Sequence, residues 1–209
     1  MRTLFKAAIA VAFLSLIGVG SHASEVTQPR HYAVVNVASN DVLNVRSAPS
    51  SKSDIVGSLA PNAAPVEVFR VSGNWGYIVH GEANGWVSRK FLAPVSLPRV
   101  KKTQMNVGLI CVGAEPFWSL EVSNVSKLRF ETPEQSRSFA VVNSGPSAGR
   151  PDKDFVWASD GSVSVAGVVE RRICSDTMSD RDYPMSVNLV FNGGGQSGAF
   201  SGCCYTPTN

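Results

Sequence analysis

The stretch DVLNVRSAPSSKSDIVGSL, residues 41–59, decides the fold of this chain. Leu43 and Val45 alternate with Val42, Asn44 and Arg46, the period of two that a half-buried strand requires. Ser47 to Ser50, around Pro49, is turn chemistry, and IVGSL at residues 55–59 reads as the next strand. Leu43 and Val45 are therefore expected in a core. Arg46, at the end of its strand, is placed to tie down the turn that follows.

The same pattern continues on both sides of this stretch. PVEVFRV (65–71), WGYIV (75–79) and GWVS (85–88) follow at short intervals, separated by Pro61-Asn62 and Ser72-Gly73-Asn74. Later in the chain FWSLEV (117–122), KLRFE (127–131), FAVV (139–142), FVWAS (155–159), SVSVAGVV (162–169) and MSVNLVF (185–191) are strand candidates. Asp160-Gly161 makes a hairpin turn. NGGG (192–195) lacks the lysine and hydroxyl of a phosphate loop and reads as another turn. No helical period competes, so the fold class is all-β: a small barrel followed by a second antiparallel β domain.

Residues 1–23 have the layout of a secretory signal peptide. Arg2 and Lys6 precede the apolar run Ala7–Val19, and Ser21-His22-Ala23 is a small-x-small cleavage pattern. No second apolar run follows, so no transmembrane segment is expected after cleavage and the location is periplasmic or secreted. The whole chain has 19 basic and 16 acidic residues; without Arg2 and Lys6 the count is 17 against 16. That balance gives no electrostatic case for nucleic acid. Pro94, Pro98, Arg99, Lys101 and Lys102 mark residues 93–106 as a stiff, solvated linker, with the second domain at 107–209.

Residues 32–92 resemble a bacterial SH3 domain. The resemblance runs through LNVRSAPS, IVGSL, VEVF, SGNWGYIV and NGWVSRKFL, in that order and spacing. Gly76 departs from it, standing where a bulkier residue often follows the tryptophan, and predicts a more open groove. The resemblance implies a barrel of five to seven strands that targets peptidoglycan or another peptide ligand. On an extended WGYIV, Trp75, Tyr77 and Val79 share one face and Gly76 and Ile78 the other. With Ile78 inward, Trp75 and Tyr77 look outward near Trp86, flanked by Asn74, Glu82 and Asn84. An amphipathic aromatic surface of that kind grips polar peptides or glycans. The competing expectation is that these aromatics close the ends of a small barrel. His80 has no histidine or cysteine nearby to share a metal.

Every cysteine lies in the second domain: Cys111, Cys174, Cys203 and Cys204. A bridge between adjacent cysteines is strained, and an exported chain meets oxidising conditions. Two pairings remain, with Cys111 bonded to one member of the 203–204 pair and Cys174 to the other. No cofactor or metal is expected, since the domain has no histidine and no C-x-x-C. The missing histidine also removes Cys-His and zinc chemistry. Glu115, Asp176, Asp180 and Asp182 remain as acid–base candidates, with capping and local ion pairs as their alternative role.

CVGAEPFWSL, CSDTMSDRDYP and the terminal GCC resemble a family of uncharacterised bacterial envelope proteins, and Phe117 and Trp118 are expected in a core seam. The sequence thus points to a non-enzymatic envelope binding protein. Its alternatives are a carboxylate-based wall hydrolase and a secreted inhibitor, and its oligomeric state stays open.

Overall fold

The computed structural model describes residues 25–176, 178–194 and 197–209, with side chains from residue 28. The expected signal peptide, residues 1–23, lies outside them. The described chain is all-β apart from the 3-10 turn Arg89–Phe91. No helix in it is long and apolar enough to cross a membrane.

The first domain contains β1 (Glu25–Val34), β2 (Leu43–Arg46), β3 (Ile55–Leu59), β4 (Val66–Ser72), β5 (Trp75–His80), β6 (Ala83–Ser88) and β7 (Leu92–Pro94). They form one seven-stranded sheet in the order β3-β2-β6-β5-β4-β1-β7. Leu43 and Val45 are buried with Val34, Leu59, Val66, Val68, Ile78 and Val87. Gly76 shares the inward face with Ile78; a Cβ there would lie 2.9 Å from Val68 Cγ1. It therefore makes room in the core and does not open an outer groove as expected. His80 lies against Gly57, where a Cβ would fall 2.1 Å from its Nε2.

The second domain is a closed barrel. Its strands are β8 (Ile110–Ala114), β9 (Phe117–Asn124), β10 (Lys127–Glu131), β11 (Ser136–Ser147), β12 (Arg150–Ser159), β13 (Val163–Glu170), β16 (Met185–Gly193) and β17 (Gly198–Tyr205), with the short pair β14 (Cys174–Ser175) and β15 (Asp182–Tyr183) as an excursion before β16. Neighbours in sequence pair antiparallel around the ring, and β17 returns to β8 with Cys204 opposite Cys111. Eight strands leave an interior that side chains can fill. Trp118, Leu120, Phe130, Phe139, Leu189 and Phe191 fill it here. Phe130 and Phe191 lie 4.7 Å apart between ring centroids. The expected core seam is half right: Trp118 is buried, but Phe117 is 63% exposed because alternation turns it outward.

Both disulfides form, Cys111–Cys204 and Cys174–Cys203. Successive residues of β17 point to opposite faces, so Cys204 joins the barrel core while Cys203 meets the excursion.

The expected solvated linker is only partly solvated. Lys101 and Lys102 are exposed, whereas Val100, Thr103, Met105 and Asn106 are buried. Val100 and Met105 belong to the core of the barrel, and Gln104 N–H donates to Asp154 Oδ2 at 2.9 Å. The apolar residues between the charges decide this, because a short turn bridged from Arg99 to Asn106 can cover one end of the barrel.

Candidate binding surface

The strand order of the first domain brings separate loops together at one end. Asn44 and Arg46 of β2, Asn74 and Trp75 at the start of β5, and Lys90 and Phe91 of the 3-10 turn line a groove of about 930 Å³. Asp41 and Val42 lie along its edge. Arg46 braces its turn as expected, donating from Nη1 to the Ser53 carbonyl at 2.6 Å, and it also lines the groove. Two aromatic side chains, three asparagines counting Asn36, two cations and one carboxylate thus meet in one concave site. Such a lining suits a polar ligand with amide groups and a negative charge.

The aromatic surface expected to be continuous is divided by the second domain. Trp75 and Asn74 line the groove. Tyr77 stacks on Phe69 at 5.4 Å and Trp86 at 4.7 Å, and Trp86 is only 9% exposed. The Asn84 amide pairs with both backbone groups of Asp182, donating from Nδ2 to its carbonyl at 2.9 Å and accepting its N–H at 2.7 Å. The Asp182 carboxylate meets Arg70 Nη1 at 3.0 Å, and Arg70 lies over the Tyr77 ring. Burial, and then the Asp182 carboxylate, raise the Tyr77 pKa against the opposing pull of Arg70. Asn84 and Arg70, with Tyr77 beneath the Arg70 guanidinium, therefore face the second domain, and Trp86 packs against Tyr77. Alternation shows that a face is covered without showing by what.

Residues 41–93 match the family model of the bacterial SH3 domain. The first domain is a bacterial SH3 domain. No curated protein and no solved structure matched the chain. An SH3 domain of this family beside two disulfides fits an extracellular or periplasmic protein.

In the barrel domain, two of the acidic candidates, Asp176 and Asp182, are held by neighbouring groups. Asp182 is engaged by Arg70 at the interface. Asp176 caps its own loop, accepting from the N–H groups of Met178 and Ser179 and from the hydroxyls of Ser179 and Tyr183. Burial works against the Asp176 carboxylate, but those hydrogen bonds outweigh it and hold its pKa below the ordinary value. Glu115 and Asp176 do line one groove of about 500 Å³ beside Cys174–Cys203. Among the described residues, no three His, Cys, Asp or Glu side chains converge as a metal site.

Tyr183 gives a pH prediction for the barrel. Burial first, and then its hydrogen bond to Asp176, push its pKa up to about 12 from 10.0. A raised folded pKa favours the protonated phenol, so its contribution to stability is complete below pH 10 and is lost as pH climbs through about 12. A phenolate absorbance titration should show one tyrosine ionising near 12 in the wild type and missing in Tyr183→Phe. A Tyr183→Phe trace identical to wild type would count against this assignment.

Asn36, Asp41, Asn44, Lys90 and Phe91 were missed in sequence because they sit in loops and strand ends. The local pattern there encodes turns, and only the sheet order joins them.

Proposed function

We propose that this is an exported envelope protein whose SH3 domain holds the peptide part of peptidoglycan, or a peptide of like chemistry, in the Trp75 groove. The observation that carries this reading is the groove itself, a concave surface of the SH3 domain of about 930 Å³ with aromatic, amide and cationic groups together. Trp75 and Phe91 supply flat apolar contact, the asparagines match peptide amides, and Arg46 and Lys90 attract the carboxylates that such peptides carry. The barrel acts here as a non-catalytic partner. The engaged state of Asp176 and Asp182 supports that, since an acid–base pair needs carboxyls free to exchange protons.

Co-sedimentation of the full chain with purified sacculi tests the reading. Trp75→Ala should weaken retention by about tenfold, equivalent to about 1.4 kcal/mol. Val168→Ala, on the outer wall of the barrel, should bind like wild type. Equal retention of wild type and Trp75→Ala, or none by either, would remove the groove as the wall site. Release of muropeptides by the wild type, lost in Asp176→Asn, would favour the hydrolase instead.

A further inference from the structure

Nearly every described arginine has a partner for its guanidinium. Arg46 and Arg89 bond backbone carbonyls. Arg70, Arg129, Arg137, Arg150, Arg171, Arg172 and Arg181 are paired with carboxylates. Among the described residues, only Arg30 and Arg99 have neither. Both line the same cavity, about 260 Å³ in volume, where the SH3 domain, the joint and the barrel meet.

The rest of the lining leaves the charge of Arg30 and Arg99 uncompensated. Its one carboxylate, Glu67, is already engaged by Thr206, whose N–H donates to Oε2 at 2.7 Å and whose hydroxyl donates to Oε1 at 3.2 Å. His31 Nε2 lies 3.3 Å from the same Oε1. Arg171, from the barrel side, has a side chain only 7% exposed. It donates to Asp154 and to the Pro151 carbonyl, yet its Nε is buried without a partner. Two unpaired guanidinium groups beside a third that is incompletely satisfied attract an anion, and their planar donors match the oxygens of a carboxylate or phosphate.

We propose that this junction cavity is a binding site for a small oxyanion, a carboxylate or phosphate, held chiefly by Arg30 and Arg99. Water fills about 30 Å³ per molecule, so the cavity has room for an anion of several non-hydrogen atoms. Arg30 lies on β1 and Arg99 on the joint, so the bound anion ties the SH3 domain to the barrel. Binding to the folded protein alone raises its melting temperature with anion concentration. The site is independent of wall binding in the Trp75 groove.

Calorimetric titration of the full chain tests the proposal, with inorganic phosphate and acetate in separate arms at one ionic strength held by sodium chloride. Saturable binding of at least one anion is expected, weakened tenfold or more in the Arg30→Ala, Arg99→Ala double variant and unchanged in Lys52→Ala. Arg30 and Arg99 are exposed and their side chains have no hydrogen bond or ion pair to lose, so the double variant should keep the wild-type circular dichroism. Saturation by phosphate alone assigns a phosphate ligand, and saturation by acetate as well assigns carboxylates too. Failure of both anions to saturate, or equal binding by the double variant, overturns the proposal.

Discussion

Replacing Cys111 and Cys204 together by alanine should lower the unfolding free energy by roughly 4–5 kcal/mol, as read from a urea melt. The bridge spans 93 residues, and loop-closure entropy in the unfolded chain grows with that length. It also lies on the seam where the last barrel strand returns to the first, so the crosslink and the closure of the sheet act on the same pair of strands. The Cys174–Cys203 bridge closes only 29 residues, and its loss should cost about 3.6 kcal/mol on the same model. Access separates the two further. Cys111 and Cys204 are at most 1% exposed, while Cys174 is partly exposed. Graded reductant should therefore open Cys174–Cys203 first, read by alkylation and mass mapping. Loss of Cys111–Cys204 ahead of it, or a double variant as stable as wild type, would refute the assignment of the longer bridge as the main crosslink.

Asp154→Ala should cost about 3–5 kcal/mol, because it leaves a buried guanidinium without its counter-charge. Asp154 is 1% exposed, and its Oδ2 accepts from Arg171 Nη1 at 2.7 Å and from the Gln104 N–H at 2.9 Å. One carboxylate oxygen thus neutralises Arg171 and pins the joint to the barrel. The joint should loosen with it, so trypsin should cut at the exposed Lys101 and Lys102 faster than in wild type under native conditions. A Leu at both Asp154 and Arg171 is the informative control. Replacing a buried pair by apolar groups is often near neutral, so the double variant should recover much of the loss while Gln104 stays free and cleavage stays fast. A single Asp154→Ala variant as stable and as protease-resistant as wild type would contradict this account.

Residue types and short patterns carried much of this architecture. Leu43 and Val45 are buried where their alternation put them, and Arg46 bonds the turn carbonyl of Ser53. The strands around Phe130, Val156, Val165 and Leu189 were equally visible, since each alternates cleanly between core and outer wall. Phe117 was misplaced because aromatic character was read without its position in the alternation next to Trp118. The joint was misjudged for a related reason. Its lysines are conspicuous and do face water, but Val100 and Met105 between them are what the barrel buries.

The binding surface shows where local pattern stops. The sequence correctly grouped Trp75, Tyr77 and Val79 on one strand face, yet that face is shared between a groove and a domain contact. Asn84 was picked as a ligand group, and its amide does recognise a backbone, that of Asp182 in the same chain. Nothing within a few residues of either position signals the other, because they are 98 residues apart.

By itself, the sequence determined the all-β class, the resemblance of residues 32–92 to a bacterial SH3 domain, which the family model matches over 41–93, and the choice between two cysteine pairings. The class and the pairings rest on period-two burial, turn chemistry and the strain of a vicinal disulfide, all of which act over a few residues, and the resemblance rests on five short blocks in order. Only the tertiary structure decided that Cys204 faces Cys111, that the second sheet closes into a barrel, and that Trp75 is left open while Tyr77 and Trp86 are covered. Each of these depends on which distant surface meets a given side chain, and side-chain period fixes the face of a strand without choosing its neighbour.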